Sequence, residues 1–346
     1  MTDKQRVALI FGGRSGEHDV SIVSARSVDR ALDRNKYQVV PLAIDRQGLW
    51  TDASTARRVL DDSANRADKV VRFEGTSRLD PGLLDGTIDI AFPVLHGPFG
   101  EDGTIQGLFE MIDLPYVGSD ATSSALCMDK IFCKRMFAQA GLPTSDWVEL
   151  DLPTWSEDVR HVSVQCLDLG LPIFVKPARL GSSVGISKVT DPADLAPAIE
   201  TAFAQGQRVL VEKGLDVREI EIAVIGNQHP RAAVPGEVVP GHDFYDYDDK
   251  YLDSTCQLLA PAPLEERQSA TARELGVTVF QLLGCTGMAR VDLFLEHDSG
   301  LFWVNEINTI PGFTPISMYP RLWELSGLSY SELIDELIRL GFERTR

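Results

Sequence analysis

Two stretches near the end of the chain, MARVDLFLE (288–296) and LFWVNEIN (301–308), carry the residues best suited to chemistry. Period-two alternation puts Ala289, Val291, Leu293 and Leu295 on one face of the first, with Arg290 and Asp292 on the other. In the second, Glu306 and Asn308 share a face with Phe302 and Val304. The linker HDSG has turn chemistry, which predicts a hairpin. Pairing Glu296 with Phe302 sets Asp292 opposite Glu306 and Arg290 opposite Asn308. Like charges directly opposite one another destabilise a sheet unless a cation lies between them. A hard divalent cation such as magnesium fits, because it takes carboxylate oxygens and completes its shell with substrate phosphates. A solvated acidic sheet face is the other reading that this hairpin alone leaves open.

The cations lie upstream. Lys176 ends the apolar strand PIFVK, and Lys130 follows SALCMD. A strand-borne lysine beside a Gly-Ser-Ser loop suits phosphate oxygens, with backbone N–H groups as further donors. GSSVG (181–185) is neither a Walker A motif nor GxGxxG, and alone it reads equally well as a turn. With two lysines before it and Asp292, Glu306 and Asn308 after it, the set reads as a phosphate and metal site.

Such residues need a scaffold, and 346 residues are enough for two or three domains. Residues 6–44 read as a βαβ unit whose helix, from about Asp19, turns Val20, Val23, Ser24, Ser27, Val28 and Ala31 to one face. Residues 45–85 read as an excursion with one or two short elements. The strand IDIAFPVL then ends at HGPFGEDG. IQGLFEMIDLPYVGSD predicts a short helix and a strand, 121–140 one helix, and 145–212 a block with strands PIFVKP and RVLVEK. The last block has a strand at EIEIAVIG, a helix near 267–283, the hairpin, and a closing helix. Ser329 and Glu332 form its capping box, and Tyr330, Leu333, Ile334, Leu337 and Ile338 its apolar stripe. A net charge of −18 argues against an extended nucleic-acid surface. No apolar run approaches the roughly 20 residues of a membrane helix. The first strand begins too early for a secretion signal, so a cytoplasmic protein is expected. Five cysteines without CxxC spacing (127, 133, 166, 256 and 285) read as buried free thiols.

In order, Lys130, Lys176-Pro, GSSVG, VEK at 211–213, R-x-D at 290–292 and E-x-N at 306–308 resemble the ATP-grasp ligases. Within them, GGRSGEHDVS, LHGPFGEDGTIQG, MDK, KPARLGSSVG, DFYDYDDKY and NEINTIPGFTPISM are most similar to the D-alanine:D-alanine ligases. These stretches span Gly12 to Met318.

The resemblance implies an α/β (α+β) protein with the three-domain ATP-grasp fold. Its parts would be a Rossmann-like N-terminal substrate-binding domain (1–122), a central subdomain with the glycine-rich loop (123–212), and a C-terminal subdomain with the metal and catalytic residues (213–346). Lys130 and Lys176 would hold ATP phosphates beneath the loop that includes Ser183. Glu212, with the backbone of Lys213 and Leu215, would read the adenine, and Glu219 the ribose. Lys250 would approach the γ-phosphate. Asp292, Glu306 and Asn308 would bind two magnesium ions, with manganese able to substitute.

The implied reaction phosphorylates one D-alanine carboxylate and then lets a second D-alanine amine attack the acyl phosphate. Arg290 and the Gly312 N–H would stabilise the oxyanion. Ser317 and the backbone of Met318, often Leu in relatives, would hold the second carboxylate, and His96 would lie near the first. Glu17, Ser182 and Tyr251 match a hydrogen-bonded trio. Glu17 suits a substrate ammonium, so the N-terminal glycine loop reads as an amine pocket rather than a phosphate site. Tyr245, Tyr247, Lys250 and Tyr251 favour a dipeptide product over a D-lactate ester, while D-serine stays open as second substrate. Other ATP-grasp carboxylate-amine ligases and a non-catalytic nucleotide sensor are the alternatives; a dinucleotide-dependent oxidoreductase, which the opening βαβ unit suggests, lacks the GxGxxG spacing. A homodimer with D-alanine and ATP as ligands, and no nucleic-acid or membrane partner, is expected.

Overall fold

The computed structural model describes residues 4–62, 87–240 and 256–344. It begins with β1 (Gln5–Gly12), α1 (His18–Ala31), β2 (Tyr37–Ile44), α2 (Ala53–Asp61), β3 (Ile90–Val94) and α3 (Thr104–Met111). The strands form a parallel sheet in the order β2–β1–β3. Val7 to Phe11 are fully buried, as in a sheet covered on both faces. In such a sheet the ligand crevice lies beyond the carboxyl ends of the strands where the order reverses. Glu17 follows β1 there, and His96 and Glu101 follow β3. Gly12 turns the chain off β1 with φ +93°, and a Cβ on it would lie 2.2 Å from the Ile44 carbonyl oxygen.

The buried face of α1 differs from the expected one. Ser21, Ile22 and Ala25 face inward, whereas Val23 is exposed. Ser21 turns the helix this way: its hydroxyl donates to the Val94 carbonyl and accepts the Gly12 N–H. The strand expected after α3 is reduced to a bridge between Tyr116 and Ala91. Of the 45–85 excursion, α2 is described and 63–86 lie outside the described residues.

Next come α4 (Ala121–Met128), α5 (Lys130–Gln139), β4 (Trp147–Asp151), α6 (Leu152–Glu157), α7 (Val159–Leu167), β5 (Ile173–Pro177), β6 (Ser187–Val189), α8 (Leu195–Phe203) and β7 (Arg208–Lys213). The antiparallel sheet β4–β7–β5–β6 has its own core, with Leu150, Trp155, Val175, Ile199 and Val211. The single helix expected over 121–140 is two helices. Fully buried Asp129 interrupts it, caps α5 by accepting the Ile131 and Phe132 N–H groups at 3.1 Å, and takes Arg179 and Arg208 on its other oxygen at 2.8 and 3.0 Å.

The remainder comprises β8 (Val217–Gly226), β9 (Arg231–Ala232), β10 (Gly236–Val239), β11 (Gln257–Leu259), α9 (Glu266–Leu282), β12 (Gly287–Glu296), β13 (Phe302–Asn308), α10 (Met318–Leu325) and α11 (Tyr330–Arg344). The third sheet runs β11–β10–β8–β12–β13, with β9 on β8. The Glu332 carboxylate accepts both the N–H and the hydroxyl of Ser329, as the capping box predicts. Leu333, Ile334, Leu337 and Ile338 of α11 share one core with Val7, Leu9, Ile90 and Phe92 of the first sheet. All five cysteines are free thiols, four of them buried and Cys256 half-buried. Among the described residues, no helix is long and apolar enough to cross a membrane.

Candidate active site

The hairpin β12–β13 brings Arg290 opposite Asn308 and Asp292 opposite Glu306, as expected. The expected pairing at its far end is wrong by one residue, since Leu295, not Glu296, faces Phe302. The shift between Asp292 and Leu293 leaves Asn305 as an extra residue in β13, a β-bulge. Glu306 and Asn308 therefore do not share a face with Phe302 and Val304. Phe302, Val304 and Ile307 all enter the core with Val291 and Leu293, and the bulge throws Glu306 and Asn308 to the opposite side. On that side β8 adds Glu221 opposite Asp292, giving three carboxylates in register across three strands.

Cations from this chain thread the row. Arg290 donates to both oxygens of Asp292, at 2.7 and 2.6 Å, and its Nε lies 3.2 Å from Glu221. Burial disfavours its charge, but Asp292 and Glu221 hold it firmly protonated. Asn308 donates to Asp292 at 3.0 Å. Lys130, at the start of α5, reaches Glu306 at 2.9 Å and the Leu180 carbonyl at 3.0 Å. Burial lowers its pKa, but Glu306 more than restores it. Among the described residues, no three or more His, Cys, Asp and Glu group as a metal cluster. The donor set is two carboxylates and one amide on a single face, all hard oxygen ligands, which fits magnesium.

Two cavities meet at Arg290, Glu221 and Glu306. The larger, about 720 Å³, runs between the second and third sheets and is lined by Lys176, Ser183, Glu212, Lys213, Leu215, Glu219 and Asp292. Glu212, on β7, is buried between Lys176 and Lys134, the latter at 2.5 Å. Burial alone would raise the Glu212 pKa, but the two ammonium groups hold the carboxyl far below the usual range.

The smaller cavity, about 120 Å³, is lined by Glu17, His96, Glu101, Ser182, Asn308, Gly312, Ser317 and Met318. Ser182 and Ser183 both adopt left-handed backbone, φ 51° and 59°, a strain that the Ser182 hydroxyl offsets by donating to Glu17. A Cβ at Gly312 would meet the Ser317 hydroxyl at 2.7 Å, so a side chain there would displace that hydroxyl. Ser317 and Met318 stand at the start of α10, whose first N–H groups lack intrahelical partners. His96 is buried, with Nδ1 3.0 Å from the Ile310 carbonyl and Nε2 3.2 Å from the Ser24 hydroxyl. Burial lowers its pKa, so the neutral ring ties the end of β3 to the loop after β13. Lys250 and Tyr251 lie outside the described residues, as do Tyr245 and Tyr247.

Sequence reasoning overlooked Glu101, Glu221 and Lys134. Lys134 stands one helical turn from Lys130, a spacing that signals a shared face. Glu221 alternates with Glu219 along β8. Nothing in GEDG distinguishes Glu101, whose carboxyl accepts the Gly97 N–H at 2.6 Å and the Ile310 N–H at 3.3 Å. Burial, then the nearby Glu17 charge, pushes its pKa up to about 8. Relative to its ordinary 4.5, the folded state holds an extra proton. That contribution to stability is complete below pH 4.5 and is lost as pH rises through 8. Glu101→Gln, which mimics the protonated acid, should fall less in melting temperature than the parent between pH 6 and about 9; equal falls would refute the assignment.

The D-ala D-ala ligase N-terminus family matches residues 6–119, and the D-ala D-ala ligase C-terminus family matches 136–339. The chain is 46% identical to a D-alanine--D-alanine ligase of Thermoanaerobacter sp. (strain X514), covering 99% of this chain and 97% of that one. It is 45% identical to that of Chlorobaculum parvum, with 99% and 98% covered. The D-alanine-D-alanine ligase structure from Coxiella burnetii superimposes with a TM-score of 0.83 at 34% identity, over 99% of this chain and 95% of that one. VanG D-Ala:D-Ser ligase from Enterococcus faecalis gives 0.81 at 34% identity, over 98% and 100%. Similarity of this extent, spanning both cavities and the strands between them, means that the chain belongs to the D-alanine–D-alanine ligase family.

Proposed function

We propose that the protein joins two D-alanine molecules into D-alanyl-D-alanine, with ATP as phosphoryl donor, for peptidoglycan precursor synthesis. The observation that carries this reading is the meeting of a large lysine-bearing cavity and a small amino-acid-sized one at Arg290 and Glu306. In this reading the three ATP-grasp units are 1–122, 123–212 and 213–346, and the enzyme works as a cytoplasmic homodimer.

Lys130, Lys176 and the loop with Ser183 would hold the ATP phosphates. Glu212, with the backbone of Lys213 and Leu215, would hold the adenine, and Glu219 the ribose. Asp292, Glu306 and Asn308 would hold two magnesium ions, whose charge would offset that on the transferring phosphoryl oxygens. Glu17 would receive the ammonium of the first D-alanine and orient its carboxylate toward the junction of the cavities. A bare carboxylate is a poor electrophile, because oxide would have to leave. Phosphorylation supplies phosphate as the leaving group. Ser317 and the Met318 backbone would hold the second D-alanine, whose ammonium must lose a proton before attack. Arg290 and the Gly312 N–H would then stabilise the oxyanion.

Purified protein with ATP, magnesium and D-alanine should release phosphate and yield the dipeptide. A panel including D-serine and D-lactate separates the alternatives, and phosphate release independent of D-alanine would sink the proposal. Glu17→Gln should raise the KM for the first D-alanine about tenfold or more, the worth of a hydrogen bond to a charged group. The KM for ATP should stay within about twofold, and a comparable rise there would place Glu17 at the nucleotide instead.

A further inference from the structure

Lys134 is a buried lysine for which the mechanism above has no use. Its side chain is 2% exposed, and its Nζ lies 2.5 Å from one oxygen of Glu212, 2.7 Å from the Ser145 hydroxyl and 3.1 Å from the Ser145 carbonyl. The other Glu212 oxygen is held by Lys176. The Ser145 hydroxyl also lies 3.3 Å from the oxygen that Lys134 holds. One carboxylate is therefore shared by two ammonium groups. Only Lys176 of these two lines the large cavity.

Charge balance gives the two lysines different tasks. A buried carboxylate with a single cationic partner holds it tightly, because losing it strands an uncompensated charge. With Lys134 and Ser145 fixed on one oxygen, Glu212 stays compensated when the other cation leaves. We propose that Lys134 is a positioning residue for nucleotide binding: by neutralising Glu212 from behind, it frees Lys176 to pass from that carboxylate to an incoming phosphate. The cluster of one carboxylate and two ammonium groups carries one excess positive charge, which an anionic ligand neutralises. The direction of the shifts agrees. Burial lowers the Lys134 pKa, with Glu212 opposing it, and both lysines keep Glu212 ionised. The inference rests on the placement of ATP in the large cavity.

Lys134→Met keeps the length of the side chain and removes its charge. Of the two ammonium groups Glu212 then keeps only Lys176, beside the Ser145 hydroxyl, and the phosphate must compete for that lysine. The KM for ATP should rise about tenfold or more, with the KM for D-alanine and kcat at saturating ATP within about twofold of the parent. Lys134→Met/Glu212→Gln should be no worse for ATP than Glu212→Gln alone, because Lys134 acts through Glu212. A merely structural lysine would lower the melting temperature without this selective change in KM. Ser145→Ala, a milder change in the same contact, should raise the KM for ATP about two- to fivefold and serves if Lys134→Met does not fold. An unchanged KM for ATP in folded Lys134→Met, or in Ser145→Ala where Lys134→Met does not fold, overturns the proposal. Multiplying effects in the double variant do the same. If Glu212→Gln alone leaves the KM for ATP unchanged, the nucleotide placement itself falls, and the proposal with it. An elevated KM in that variant beside an unchanged one in Lys134→Met removes only the role of Lys134.

Discussion

Arg290→Lys is expected to lower kcat by about 100- to 1000-fold, the usual cost of losing one aimed oxyanion donor, while leaving the protein folded. Lysine keeps the positive charge between Asp292 and Glu221 but not the planar fork that now spans both Asp292 oxygens at 2.7 and 2.6 Å. A point charge that satisfies Asp292 is no longer held where the tetrahedral oxygen forms. Coupled measurement of ADP release gives kcat, and thermal unfolding checks the fold. Arg290→Met should do both kinds of damage, since it leaves Asp292 and Glu221 opposite one another across β12 and β8 without the cation between them. Removing one member of a buried ionic network costs about 3–5 kcal/mol. If Arg290→Lys keeps kcat within about threefold of the parent, the oxyanion role of Arg290 is wrong.

Exchanging two neighbours on the hairpin, as Glu306→Ile/Ile307→Glu, should be more severe than any single substitution there. The bulge at Asn305 turns Glu306 toward Lys130 and Ile307 into the core, so the exchange buries a carboxylate beside Val291 and Leu293 and takes it from Lys130. Burying a carboxylate away from its cation costs several kcal/mol, against a total stability of about 5–15 kcal/mol for an ordinary domain. The exchanged protein should be either insoluble or folded without D-alanine-dependent ATP hydrolysis. Deleting Asn305 is the gentler change: β13 then alternates strictly, with Phe302, Val304 and Ile307 inward and Glu306 and Asn308 still outward, so soluble protein is expected. Comparing soluble yield and ADP release between the two variants checks the claim. A soluble exchanged variant with parental ADP release would show that these faces are not fixed by the hairpin.

The same hairpin shows what was legible in the sequence and what was not. Residue types and turn chemistry were enough to place Arg290, Asp292, Glu306 and Asn308 together: pairing Glu296 with Phe302 is one residue off, and the extra residue at Asn305 cancels that offset at the site. The bulge escaped because period-two counting assumes that each residue flips the face once. Its trace was nevertheless present: the apolar spacing in FWVNEIN goes from two, between Phe302 and Val304, to three, between Val304 and Ile307. The rotation of α1 escaped for another reason. Polar Ser21 is buried there by hydrogen bonds to Val94 and Gly12, which no apolar pattern encodes. The break at Asp129 depends on two arginines distant in sequence, Arg179 and Arg208. The special state of Glu101 comes from burial against a loop some 200 residues away, at Ile310.

The sharing of one core between α11 and the first sheet also sets an order of events in time. During synthesis β3 emerges long before the helix whose Leu333, Ile334, Leu337 and Ile338 join Ile90 and Phe92 in this core, whereas β1 is covered early by Ile22, Ala25 and Val28 of the adjacent α1. Until residues 330–344 arrive, Ile90 and Phe92 lack that part of their cover. Contacts so distant along the chain form slowly, and sheet faces left open meanwhile invite association. The amino-acid pocket at the ends of β1 and β3 thus takes its final shape only with the closing helix.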